Sequence, residues 1–316
     1  MKVTSRLGTV GLLALVAINV VLVGLALRSN HTSGIDTSPV SSPRATTDAI
    51  ASQSPAPSET PPATTATTAT TATAVAAPLQ TMLVAVDDQR AWRIHAGSCS
   101  SGGATLASTT NGGRTWTDAN SPLRMIVRVR PTDNQVAFVV GAGSRCAAEL
   151  QSTTDGGATW GSTSAVGNAW FRDPKDPRVL GAPGPSTSQP CGKRAVVDLA
   201  VLSAGTARVL CADGLVRSTT DSGSSWTDSG KATGAVALAV LSANPAQTYV
   251  AVLNAPDCAG VQVLRVDQRV ATSCIKTAVP KDPGQIALSL VNGGGWLAIG
   301  DKTMRSTDNL VTWSLS

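Results

Sequence analysis

The sequence predicts an all-β repeat fold carried behind a membrane anchor and a flexible stalk. Three observations predict it. An eight-residue phrase ending in tryptophan recurs four times, as TTNGGRTW from Thr109, TTDGGATW from Thr153, TTDSGSSW from Thr219 and STDNLVTW from Ser306. Between the phrases lie short β-branched and apolar runs (TMLVAV, MIVRV, QVAFVVG, RAVVDLAVL, ARVLCA, AVALAVL, QTYVAVL, VQVLRV, IALSLV, WLAIG) separated by Gly, Asn, Asp and Pro. Such runs and separators are the signature of many short strands joined by turns. Before all of these stand an uncharged apolar segment and a Ser/Thr/Pro/Ala-rich stretch.

Residues 1–7 carry Lys2 and Arg6, and Gly8 to Leu27 then run without a charge until Arg28. At about 1.5 Å rise per residue, a helix of that length spans the hydrocarbon core of a bilayer. The alternative is a cleaved signal peptide. The apolar stretch is longer than the usual ~7–15-residue signal core, and ALRSNHTSG lacks a small-x-small cleavage site. The reading is a retained, single-pass signal anchor over residues 8–28, with residues 1–7 as a cytoplasmic tail and the rest extracytoplasmic. The flanking charges support that orientation only modestly. Residues 29–78 hold too little large apolar surface to offset chain entropy and are expected to form a disordered linker. The composition, rich in Ala, Thr and Arg and poor in Lys, points to a GC-rich bacterial source and attachment outside the cytoplasmic membrane.

Residues 79–316 form the folded domain, long enough for a substantial core. All six cysteines (Cys99, Cys146, Cys191, Cys211, Cys258 and Cys274) lie within it. An even count beyond an anchor fits an oxidising compartment, although six cysteines allow about fifteen full pairings. Short separations favour Cys191–Cys211 and Cys258–Cys274, leaving Cys99–Cys146; buried free thiols are the other reading. No Cys-x-x-Cys occurs and His95 alone accompanies Cys99, so no metal or other cofactor is expected.

In the repeated phrase, Asp or Asn hydrogen-bonds nearby backbone, glycine supplies the turn, and tryptophan reaches apolar packing beneath it. These phrases resemble the Asp-box of the BNR-repeat propellers, sialidases among them, whose pattern is Ser/Thr-x-Asp-x-Gly-x-Thr-Trp. The match holds at Thr153, Asp155, Gly157 and Trp160, and at Thr219, Asp221, Gly223 and Trp226. The first box, Thr109, Asn111, Gly113 and Trp116, has Asn for Asp; the last, Ser306, Asp308 and Trp313, has Leu310 where glycine is usual. The resemblance extends to extracytoplasmic propellers of the photosystem II assembly-factor type. It implies a β-propeller with the boxes on the blade periphery, away from a central ligand site.

The box tryptophans are 44, 66 and 87 residues apart, against roughly 40–50 residues per four-stranded blade. The longest interval predicts a blade without a recognisable box, with Arg265-Val266-Asp267 in its place. The middle one holds either a long excursion or a degenerate blade around Trp170 to Pro190. The expectation is five to seven blades. The last box ends three residues before Ser316, which predicts ring closure by a strand from the domain's start, Thr81 to Val86, completing the final blade.

Resemblance to sialidases implies an arginine cluster, an Asp acid/base and a Tyr nucleophile assisted by Glu. The domain has only Tyr249 and Glu149 for the last two roles, and Tyr249 lies in an alternating strand where packing is the better reading. Phe171-Arg172-Asp173-Pro174 departs from the family's Phe-Arg-Ile-Pro phrase in residue and position. Two-carboxylate glycosidases remain open among sixteen aspartates. The domain's 21 Lys/Arg against 17 Asp/Glu show one local concentration, Arg124, Arg128 and Arg130, as a possible binding surface. On a strand, Arg128 and Arg130 share a face and can meet an anionic surface or glycan. Nucleic acid is not expected. The reading is a monomeric, membrane-tethered, non-catalytic scaffold for a cell-envelope protein or polysaccharide; the alternative is a glycoside hydrolase acting on extracellular glycans.

Overall fold

The computed structural model describes residues 77–184, 187–243 and 245–316. The anchor and nearly all of the linker read above lie outside them. Among the described residues, no helix is long and apolar enough to cross a membrane.

Six antiparallel sheets follow one another along the chain. Blade 1 comprises β1 (Thr81–Ala85), β2 (Ala91–His95), β3 (Thr105–Thr109) and β4 (Thr117–Ala119). Blade 2 comprises β5 (Met125–Pro131), β6 (Ala137–Ala142), β7 (Ala148–Thr153) and β8 (Ser164–Ala165). Blade 3 has only β9 (Phe171–Arg172), β10 (Leu180–Gly181) and β11 (Thr187–Ser188). Blade 4 holds β12 (Val196–Val201), β13 (Ala207–Cys211), β14 (Leu215–Thr219) and β15 (Thr227–Lys231). Blade 5 holds β16 (Ala235–Leu241), β17 (Gln247–Leu253), β18 (Val261–Arg265) and β19 (Val270–Ile275). Blade 6 holds β20 (Ile286–Val291), β21 (Gly294–Ile299), β22 (Lys302–Ser306) and β23 (Ser314–Leu315). Each is a meander whose first strand lies innermost. The first strands pack beside one another in order, and β20 returns to β1. The result is an all-β, six-bladed propeller, within the expected five to seven blades. The degenerate unit around Trp170 is blade 3, and Val266 to Arg269 form the boxless outer turn of blade 5.

Ring closure differs from expectation. Blade 6 draws all four strands from Ile286 onward, and Thr81–Ala85 is the inner strand of blade 1, paired with β2. A meander beginning at the axis uses its first segment as its own inner strand, so none is left to lend. Contacts between the two complete blades join the seam instead. Trp296 Nε1 donates to the Asp87 carbonyl at 2.9 Å, and the Ala85 amide donates to Ser289 Oγ at 3.0 Å. Trp116 meets the Trp296 ring edge-on at 6.4 Å. The Trp296 contact repeats around the ring. Buried Trp92 of blade 1 donates to the Asp133 carbonyl of blade 2 at 3.1 Å, and buried Trp170 donates to Ala204 of blade 4 at 2.9 Å. Between blades 4 and 5 an arginine substitutes, Arg208 donating to the Ala246 carbonyl at 3.1 Å.

The four repeated turns are the outer hairpins of blades 1, 2, 4 and 6. In each, a buried hydroxyl donates to the Asn or Asp oxygen: Thr109 to Asn111 at 3.1 Å, Thr153 to Asp155 at 2.7 Å, Thr219 to Asp221 at 2.7 Å and Ser306 to Asp308 at 2.8 Å. The same hydroxyl accepts the amide of Gly113, Gly157, Gly223 or Leu310 at 2.9–3.1 Å. Leu310 adopts φ +69°, close to the glycines' +85° to +87°, so the fourth turn keeps the others' geometry. The tryptophans also reach sideways, and Trp160 lies beneath its own turn, where a Cβ on Gly157 would stand 3.5 Å from it. Trp116 and Trp226 pack against Trp296 and Trp170, while Trp160 and Trp313 donate to Asn120 O and Ser273 Oγ, all on the preceding blade or its connection.

Candidate functional site

The inner strands surround an axial cavity of about 570 Å³. In β1, β12, β16 and β20 the first residues are buried and the last half-buried, so the cavity opens where these strands end. The opposite end is closed by the chain's own approach to blade 1. The Leu79 amide donates across the axis to Val197 O at 3.2 Å, and Gln80 N donates to Gly284 O at 2.7 Å. Buried Arg172 completes this floor, donating to Val197 O at 3.0 Å and Leu79 O at 3.3 Å. Burial pushes its guanidinium down to about 10, opposed by nearby Asp198.

Asp198 accepts the amides of Leu199 and Leu238, each at 2.7 Å. Its carboxyl is pushed up to about 6 by burial, against the hydrogen bonds from Leu238 and Leu199 and the charge of Arg172. Among the described residues lining the cavity it is the one carboxylate. Tyr249 is buried core, its hydroxyl donating to Gln247 at 2.9 Å.

At the open end, Arg128 and Arg130 project from one face of β5. Both guanidinium carbons lie 6.0 Å from the ring centre of Phe138, which pairs with Arg130 across the sheet. Arg128 donates to the Trp170 carbonyl, and its guanidinium is pushed down to about 10, by burial and then by Arg130. Arg124 does not join them. It precedes the far end of the seven-residue β5 and donates to Ser100 O. At roughly 3.3 Å per residue, the strand's length separates it from Arg130.

Two cysteine pairs are bonded as expected, Cys191–Cys211 and Cys258–Cys274. Cys191, in the connection before β12, reaches Cys211 on β13, and Cys258, in the β17–β18 loop, reaches Cys274 on β19. Cys99 and Cys146 are free. They sit in the β2–β3 and β6–β7 loops of neighbouring blades, and the two thiols lie side by side without bonding. The Cys99 thiol reaches Met125 Sδ at 3.9 Å, and burial, with Cys146 beside it, pushes it up to about 11. Among the described residues no group of three or more His, Cys, Asp and Glu is placed to hold a metal.

Three further residues line the cavity, Arg172, Asp198 and Phe138. An ionisable group inside an otherwise apolar inner strand was the available signal.

Fold and site define a six-bladed propeller with an axial cavity open at one end. No protein-family model matches the chain, and no curated protein matches it. Similar solved structures include YCF48 bound to D1 peptide, at 19% identity over 77% of this chain and 69% of that one, TM-score 0.30. A GH74 xyloglucanase from Xanthomonas campestris is 17% identical over 74% of this chain and 38% of its own, TM-score 0.32. The SapL1 lectin in complex with alpha methyl fucoside is 13% identical over 77% and 96%, TM-score 0.49. The fold stands on the strand topology of this chain, and no ligand or activity passes to it from these proteins.

Proposed function

We propose that this chain is a membrane-tethered, extracytoplasmic propeller that binds a protein or polymer of the cell envelope at its channel mouth and catalyses nothing. Residues 8–28 anchor it, residues 29–78 give it reach, and the repeated turns act as structural Asp-boxes. The observation that carries the reading is the one-ended cavity, with Arg128 and Arg130 at the mouth and a single carboxylate at depth. The described chain enters blade 1 at the closed end, through Leu79 and Gln80. Glycoside hydrolysis by the usual route uses two carboxyl groups roughly 5–9.5 Å apart, and Asp198 has no such companion among the described lining residues.

Capture from native envelopes by the full chain in detergent, disulfides intact, tests this against an Arg130→Ala variant. A component held by the wild type and lost by the variant is expected. An empty capture, or equal capture by both, overturns the reading. The hydrolase reading retains one observation in its favour, since a carboxyl raised to about 6 suits a general acid. Sugar release from envelope glycans that disappears in Asp198→Asn would establish it instead.

A further inference from the structure

Arg128 and Arg130 are cations without an anion. Arg90, Arg178, Arg217 and Arg265 hold aspartates at 2.6, 2.7, 2.8 and 2.9 Å, whereas neither mouth arginine forms an ion pair among the described residues. Two like charges on one strand face repel, and Arg128 is also partly withdrawn from water. A bound anion relieves both penalties, and a guanidinium fork matches a carboxylate best. Phe138 lies against both guanidiniums and lines the same cavity. Exposed Asn168 lines the same cavity.

We propose that the channel mouth is a subsite for a uronate residue of an acidic polysaccharide, its carboxylate held by Arg130 and Arg128 and its ring resting by Phe138. This rests on the binding reading above and names the ligand chemistry. The backbone groups around the channel disfavour an extended acidic peptide. A peptide strand needs a free sheet edge, and several edge groups are already taken: Ala85 N by Ser289, Leu199 N and Leu238 N by Asp198, and Val197 O by Leu79 and Arg172. The cavity, about 570 Å³, lies within the ordinary range of ligand sites.

The test is calorimetric titration of the full chain in detergent, at low salt, with trigalacturonate, its neutral methyl ester and an acidic peptide of equal charge. Trigalacturonate is expected to bind, with ester and peptide each at least about tenfold weaker. Arg130→Ala should weaken trigalacturonate at least about tenfold, and Arg128→Lys, which keeps charge but loses the fork, should also weaken it. Arg194→Ala, exposed and distant from the mouth, should change nothing. Equal binding of ester or peptide, or indifference to Arg130→Ala, overturns the proposal. If trigalacturonate fails to bind while envelope capture still requires Arg130, the uronate assignment falls and the scaffold reading stands. If both fail, both fall.

Discussion

Leu310 occupies a backbone conformation that three of the four repeated turns assign to glycine. A left-handed conformation costs an L-residue about 1–2 kcal/mol. Its side chain is buried, and a Cβ on Gly295 would lie 2.9 Å from Leu310 Cδ2. Burying a leucine contributes about 1.5–3 kcal/mol, which offsets the strain. In the other turns that space is filled: a Cβ on Gly113 would lie 3.2 Å from Trp296, and one on Gly223 3.1 Å from Trp170. Blade 5, which the fourth turn faces, has no tryptophan. Leu310→Ala removes the packing and keeps the strain, so it should cost about 2–5 kcal/mol. Leu310→Gly removes both, but its freer unfolded chain returns about 0.4–1 kcal/mol of the gain. Glycine should therefore be the milder replacement by about 1 kcal/mol, the reverse of the order in an ordinary strand. Denaturant unfolding of the full chain in detergent at pH 7, followed by tryptophan fluorescence, measures this. A glycine variant no more stable than the alanine variant would refute the strain argument, and one more stable than wild type would refute the packing argument.

Acid should act with two signs. Hydrogen bonds, first from the hydroxyls of Thr159, Ser225 and Thr312, hold Asp155, Asp221 and Asp308 at about 2 against an unfolded value of 3.8. Their contribution is complete above the unfolded value and is lost as pH falls from about 4 towards 2. Asp198, raised to about 6, works oppositely: stability falls as pH rises from about 4 to 6. Thermal unfolding across pH 2–7 should show both limbs, and Asp198→Asn should remove the upper one; an unchanged upper limb would assign it elsewhere. The Cys99 thiol, at about 11, should alkylate roughly a hundredfold more slowly at pH 8 than after unfolding in urea with the disulfides intact. Peptide mass mapping of the alkylated protein reads this, and equal rates would place the thiol in a different environment.

How much was legible varied with the range of the interactions involved. Each repeated turn is closed by hydrogen bonds four residues apart or fewer, such as Thr219 to Asp221 and Gly223 to Thr219. Eight residues therefore carry the whole device, and its recurrence marks the outer edges of four blades. Blade 5 was found from spacing alone, because its outer turn keeps the period after losing the chemistry. Blade 3 is ambiguous in the sequence because two-residue strands give too short an alternation to read.

The sequence alone thus determined the strand-and-turn grammar, the repeated turns and the two cysteine pairs of short separation, since all three depend on neighbours along the chain. Ring closure, the separation of Arg124 from Arg130, and the floor joining Leu79, Arg172, Val197 and Asp198 were decided only by tertiary structure. Leu79 and Arg172 are 93 residues apart, and Asp87 and Trp296 are 209. No local pattern encodes such a pairing. It exists because six meanders packed side by side must bring their first strands to a common axis, and the residues that meet there are those the ring places opposite one another.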